Sequence, residues 1–206
     1  MKLTVLGASG ATGRELTRQA LQRGHDVTAV ARNLARITVP DSGHLTRVAA
    51  DVYDTEAITD ALAGSAVILS GLGTATGDRP GVLTTGARAA VAACPDRIIW
   101  LGAFGTGASA AAAGPVTRAV LRVLLRAELG DKVTADHTVL KAGGTVFHCG
   151  PLSDKPVSSA RRTVTLGQVP RRIFPAGVSR ATVAAAMLDE AEEPLHPAAT
   201  LVPLDR

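Results

Sequence analysis

Aromatic side chains are scarce: Phe, Tyr and Trp together make up 2% of the 206 residues. A core must therefore be filled by Ala, Val and Leu, and a nucleic-acid surface built on stacked rings has almost nothing to be built from. Cysteine is equally sparse. Cys94 and Cys149 are the two in the chain, and their spacing offers neither a metal-ligand set nor a disulfide framework, which points to a reducing compartment. No apolar run approaches the length of a membrane span. The N-terminal apolar run stops at a glycine turn after six residues, unlike the apolar stretch of a secretory signal, so a cytoplasmic location is expected. Charge of one sign is also not in great excess, with a net charge of +4. That surplus suits a polyanion, but a nucleotide phosphate explains it equally well, and the chain shows no basic helix.

What is present is a folded composition, 46% hydrophobic and 19% charged, of a length expected for one domain (1–206). Lys-Leu-Thr-Val-Leu (2–6) reads as a strand, Gly-Ala-Ser-Gly-Ala-Thr-Gly (7–13) as a tight turn, and 12–23 as a helix stopped by Gly24. The chain then alternates: strands are expected at 26–31, 45–50, 66–70, 97–101 and 145–149, and helices at 55–62 (capped by Thr55), 81–93, 115–128, 131–141 and 179–192. Strand and helix alternating in this way, with strands apolar on both faces, predicts an α/β fold: a doubly wound parallel sheet covered by helices on both sides. Residues 150–206 are expected to add substrate-side loops and a C-terminal helix. In such sheets ligands lie beyond the carboxyl ends of the strands, so the residues just after each strand matter most.

The turn after the first strand holds Gly7, Gly10 and Gly13. A strand-to-helix turn of this kind directs free backbone N–H groups and the positive end of the helix at an anion, and glycine lets the anion come close. Ser9, Ala11 and Thr12 would add hydroxyl and backbone donors. An ordinary tight turn is the plain alternative, but the position between strand and helix is what dinucleotide binding requires. Arg32 directly follows the second strand, where NAD sites tend to place an acidic residue; a guanidinium there suits a 2′-phosphate, and Arg36 could supply a second fork. NADP is therefore expected over NAD. Asp51 and Val52 follow the third strand, where a carboxylate could accept from the adenine amino group, although exposed turn aspartates are common. Gly71, Leu72 and Gly73 follow the fourth and would let backbone approach the cofactor.

Taken together, Gly-Ala-Ser-Gly-Ala-Thr-Gly (7–13), Val-Ala-Arg-Asn-Leu-Ala-Arg (30–36), Ala-Asp-Val (50–52), Gly-Leu-Gly-Thr (71–74), Thr-Gly-Ala-Arg (85–88), Gly-Ala-Phe (102–104), Asp-His-Thr-Val-Leu (136–140) and Pro-Leu-Ser-Asp (151–154) resemble the atypical short-chain dehydrogenase/reductases. The resemblance is greatest to the biliverdin reductase B/flavin reductase group and covers roughly residues 1–155. It implies a Rossmann-like sheet, NADP(H) binding, and reduction of flavins or tetrapyrroles in a shallow pocket. Two departures stand out. Gly102 occupies a position where the reductase relatives often carry serine. The Tyr-x-x-x-Lys pair of ordinary short-chain dehydrogenases is also absent, since Tyr53 lies too early and has no lysine at that spacing.

A carbonyl reduction needs a proton donor. His137, on the helix that faces the site in relatives, is the expected catalytic acid/base, against the plain reading of a surface histidine; Lys132 is read as a solvated charge. Cys149, Pro151 and Leu152 are counted with the cofactor-binding residues, and Ala103, Phe104 and His148 with the substrate pocket. The basic pairs Arg161–Arg162 and Arg171–Arg172 are read as a solvated face rather than an anion clamp. The expected function is an NADPH-dependent oxidoreductase transferring hydride to a planar conjugated small molecule, flavin-like or from a tailoring pathway. The alternatives are an NADP-binding regulator without turnover, as in the NmrA-like relatives, and an epimerase or other non-redox enzyme on the same fold. The expected partner is a small-molecule substrate; no membrane is expected, and a nucleic acid is not favoured.

Overall fold

Strands β1 (Lys2–Leu6), β2 (Asp26–Ala31), β3 (Leu45–Ala49), β4 (Val67–Ser70), β5 (Arg97–Ala103) and β6 (Thr145–Cys149) alternate with helices α1 (Ala11–Gln22), α2 (Thr55–Leu62), α3 (Val82–Ala92) and α4 (Leu129–Lys141). The computed structural model describes residues 1–75, 77–114, 128–170 and 175–205. The chain continues through the short strand β7 (Leu152–Ser153), β8 (Arg162–Thr165), a second short strand β9 (Val178–Ser179) that pairs with β7, helix α5 (Arg180–Glu192) and β10 (Thr200–Leu204). One eight-stranded sheet results, in the order β3-β2-β1-β4-β5-β6-β10-β8. Its ladders are parallel except the last, where β8 runs antiparallel to β10.

The sheet is covered on both faces, which is why its central strands read as continuous apolar runs rather than alternating ones. Leu3 and Val5 of β1 point to one face, where Leu16 of α1 and Ala184, Met187 and Leu188 of α5 cover them. Leu6, Ile68 and Trp100 point to the other, beneath Ile58 of α2, Leu83 of α3 and Val139 of α4. The switch in strand order falls between β1 and β4, so the crevice between their carboxyl ends is the place for a ligand.

Most expected elements stand within a residue or two of their expected limits. The cap of α2 is Asp54 rather than Thr55: its carboxylate accepts from the Ala57 amide at 3.1 Å. The late strands β8 and β10 were not expected. The Thr-Leu-Val-Pro-Leu stretch of β10 carries a proline, which ordinarily argues against a strand inside a sheet. Here pairing with β6 ends at Leu201, so Pro203 stands where β10 has a neighbour on one side alone. The helix expected at 115–128 lies outside the described residues except at its last position.

Candidate active site

The carboxyl ends of the parallel strands open on a cleft of about 500 Å³, a size typical of small-molecule and cofactor sites. Its floor begins at the glycine turn. Gly7 has φ +76°, a left-handed conformation that glycine adopts without strain, and the amides of Gly7 and Ala8 both donate to the Val30 carbonyl, at 3.1 and 3.0 Å. α1 starts with Gly10 as its N-cap, with no side-chain cap and no acidic residue in the first turn. Its leading N–H groups are therefore available to an anion. A Cβ at Gly13 would collide with the Gly7 carbonyl and stand 2.8 Å from the Gly7 carbonyl carbon, so α1 rests backbone to backbone on the turn. These features fit a pyrophosphate. Ser9, Gly10, Ala11 and Thr12 line the cleft with Gly7, while Gly13 lies beneath as the packing contact.

Arg32 and Arg36 line one end of the cleft, beside Val52, Gly71, Leu72 and Gly73. Arg32 is half exposed and forms an ion pair at 2.7 Å with Asp78, whose side chain is 8% exposed. Burial pushes the Asp78 carboxyl up, but the Ala75 amide and the Arg32 guanidinium together outweigh it and hold the group below the ordinary carboxylate value. The Arg79 guanidinium stacks 4.0 Å above the Tyr53 ring, and the Tyr53 hydroxyl donates to the Arg79 carbonyl at 2.7 Å. Tyr53 thus anchors the loop after β4. Asp51 is not among the lining residues; its carboxylate accepts from the Tyr53 amide at 3.0 Å, making a turn.

The other end of the cleft is lined by Gly102, Ala103, Lys132, Asp136, Cys149, Gly150, Leu152 and Arg180. Here the structure redistributes the expected roles. His137 is exposed on the outer side of α4, about 100° around the helix from the buried Asp136 and about 200° from the buried Ala135 and Val139, and does not line the cleft. Its neighbour Asp136 does. Lys132, one turn earlier, also lines the cleft, with its side chain 17% exposed and 3.5 Å from Glu128. His148 is fully buried under the floor rather than in the pocket wall. Its Nε2 lies 2.9 Å from Asp136 Oδ2, and its Nδ1 lies 2.6 Å from Ser109 Oγ. Gly102 explains the missing serine: a Cβ there would stand 2.6 Å from His148 Cδ2 and 3.0 Å from Asp136 Oδ1. The imidazole and carboxylate fill the room a side chain would need.

Phe104 is buried in a separate apolar cluster with Ala113, Val164, Val202 and Leu204, and Pro151 is exposed; neither lines the cleft. Burial pushes the Cys149 thiol up, away from thiolate chemistry. Arg161 pairs with Asp189 of α5 at 3.0 Å and Arg162 is exposed on β8, both away from the cleft; Arg171 and Arg172 lie outside the described residues. Sequence reasoning missed Lys132, Asp136 and Arg180. Asp136 had a legible signal, because it interrupts the apolar stripe of α4 at Ala135 and Val139, and an acid in a buried stripe is the anomaly to explain.

Among known proteins, the chain aligns over 57 residues with the uncharacterized protein YwnB of Bacillus subtilis at 39% identity, covering 28% of this chain and 25% of that one. The chain thus matches about a quarter of that relative's length. Its fold is that of a candidate epimerase from Bacteroides thetaiotaomicron, with TM-score 0.81 and 21% identity over 98% of this chain and 95% of that one. It is equally that of a candidate NADH-flavin reductase from Streptococcus pneumoniae, with TM-score 0.80 and 18% identity over the whole of both chains. The profile of the NAD(P)H-binding family matches residues 7–194, which spans the glycine turn, the arginine end and the Asp136 end of the cleft. The chain belongs to the NAD(P)H-binding family.

Proposed function

We propose that the protein is an NADPH-dependent oxidoreductase of the atypical short-chain dehydrogenase/reductase type that passes a hydride to a planar, conjugated small molecule. The observation that carries this reading is the asymmetry of the cleft. One end holds a glycine cradle with Arg32 and Arg36; the other holds the buried Asp136, backed by His148, beside Lys132. A nicotinamide nucleotide bound along this axis supplies the hydride, while the protein orients it, shapes the pocket and manages charge. The fold shared with the Streptococcus pneumoniae candidate NADH-flavin reductase supports a flavin-like acceptor.

Arg32 is the residue for the 2′-phosphate. In this structure it pairs with Asp78, so binding the phosphate exchanges one anionic partner for another. Arg32→Ala is expected to weaken NADPH by more than tenfold, roughly 1.5–3 kcal/mol for a charged hydrogen-bonded contact, and to leave NADH nearly unchanged. Fluorescence titration with both nucleotides measures this. Equal loss for both would remove the NADPH assignment. Consumption of NADPH with FMN or a quinone as acceptor tests the reaction itself, and tight binding with no turnover on any acceptor would favour a nucleotide-sensing protein instead.

A further inference from the structure

Ser109, His148 and Asp136 form a continuous hydrogen-bonded chain running from the loop after β5, through the end of β6, to α4 at the cleft. All three are buried, with Ser109 and His148 at 0% exposure and Asp136 at 4%. The members match a hydrolytic triad in kind but not in order. In such a triad the serine meets the substrate and the carboxylate is the buried end. Here the serine is the buried end and the carboxylate reaches the cleft, so the arrangement is not built for nucleophilic attack by Ser109. Asp136 Oδ2 is committed to His148. Among the described residues Oδ1 accepts no hydrogen bond, and it stands beside the backbone of Gly102 on the cleft floor.

The Ser109 hydroxyl has two acceptors within reach. The Thr106 carbonyl is 3.1 Å away and His148 Nδ1 is 2.6 Å away, while the Gly105 amide donates to the same oxygen at 2.7 Å. When both nitrogens of His148 carry protons, Nδ1–H donates to Ser109 and the hydroxyl turns to Thr106. When Nε2 gives up its proton, Nδ1–H and the hydroxyl stay as they are and Nε2 accepts from the Asp136 carboxyl. The chain is therefore satisfied with one proton more or one proton fewer. A buried polar group that loses its partner costs about 1–3 kcal/mol, and this site avoids that cost in both states.

We propose that Asp136 is the proton donor of the reaction and that His148, held by Ser109, is its internal proton store, an assignment that rests on the reductase reading. It narrows the acceptor to conjugated carbonyl, imine or vinylogous systems, in which the atom remote from hydride addition must gain a proton. As the acceptor takes up the hydride, its π bond opens and the electron pair moves to that remote heteroatom. Asp136 gives it a proton: the carboxyl O–H breaks and the heteroatom–H bond forms. The carboxylate is recharged by the proton on His148 Nε2, while Nδ1 keeps its own proton and goes on donating it to the Ser109 hydroxyl, which stays turned to Thr106. The site then carries one positive charge fewer until a proton returns from water as product leaves. Lys132, on the same helix one turn before Asp136 and 3.5 Å from Glu128, lines the same end of the cleft, and its charge favours the proton-poor state; Arg180, the other cation there, is paired with Asp154 at 2.7 Å.

The test uses proton stoichiometry as well as rate. An oxidised nicotinamide is cationic and favours the proton-poor state of its surroundings; the reduced ring is neutral. Calorimetric titration of the intact protein with NADP⁺ and with NADPH, each in two buffers of different ionisation enthalpy, is expected to show more protons released with NADP⁺. Asp136→Asn keeps the shape and an acceptor for His148 but cannot pass the proton on. It is expected to abolish the difference while nucleotide affinity stays within about threefold, and to lower kcat with a quinone such as menadione on the order of 100-fold. Ser109→Ala, remote from the cleft, is expected to shrink the difference with Asp136 intact. Binding with equal proton release in the wild-type protein, or an unchanged difference in Asp136→Asn, overturns the proposal alone. No binding of either nucleotide overturns the cofactor reading and this proposal with it.

Discussion

Gly102 is constrained by space rather than by backbone angle. Its missing side chain is what allows the His148 ring to lie against β5 and reach Asp136, because a Cβ would stand 2.6 Å from His148 Cδ2 and 2.9 Å from Nε2. Both atoms belong to a fully buried ring, so relief requires moving a packed side chain and breaking the 2.9 Å bond to Asp136. Gly102→Ala is therefore expected to destabilise the protein by about 1–3 kcal/mol, the usual range for overpacking. Combined with His148→Ala, which vacates the contested volume, the same change is expected to cost far less. A double-mutant cycle by denaturant unfolding measures this coupling, and additive costs would show that the two positions do not compete. The sequence alone reads Gly102 as a lost serine. Only the three-dimensional neighbour, 46 positions later in the chain, turns it into half of a compensated pair.

At the scale of elements, legibility follows from how local each signal is. The strand-turn-helix at the N-terminus was readable because its glycines, apolar strand and helix are contiguous. The face of α4 was misread because an aspartate next to a histidine draws attention to the histidine, whereas the helical phase set by Ala135 and Val139 buries Asp136 and exposes His137. The loop after β4 was read as a glycine approach to the cofactor. The structure adds Asp78, which closes over Arg32 and takes a hydrogen bond from the Ala75 amide at 2.7 Å. Nothing in a single sequence pairs residues 32 and 78, since their contact depends on β1 lying between β2 and β4. Because the Asp78 carboxyl is held below its ordinary value, the stabilisation it gives is present above the ordinary carboxylate range and is lost as pH falls through the lowered value. An ion pair with one half-exposed partner is worth about 0.5–1 kcal/mol. Asp78→Asn is thus expected to tighten NADPH by about two- to fivefold at pH 7, by releasing Arg32, with NADH affected less. Weaker NADPH binding in this variant would mean that the loop, not the free guanidinium, limits affinity.

For the whole molecule, the decisive fact is that the two helical layers are fastened to a sheet whose switch point is also the cleft. α1 and α5 pack on one face and α2, α3 and α4 on the other, and the glycine turn joins β1 to α1 at the centre. A ligand bound there bridges both layers, so it must stabilise the native state as a unit and not merely order a loop. For one site, a ligand at 100 times its dissociation constant adds about 2.7 kcal/mol. In a chain of 206 residues, each kcal/mol raises the melting temperature by about 2–4 °C. NADPH at that excess is therefore expected to raise Tm by about 5–10 °C, and NADH at the same concentration by clearly less. The difference between the nucleotides should also shrink with salt. Arg32 is half exposed and the chain carries a net charge of +4, so the attraction for a 2′-phosphate is screened as the Debye length falls from about 10 Å at 0.1 M to about 3 Å at 1 M. Differential scanning fluorimetry at both ionic strengths, on the wild type and Arg32→Ala, checks the two effects together. A preference for NADPH that survives 1 M salt undiminished, or that persists without Arg32, would place the discrimination elsewhere in the cleft.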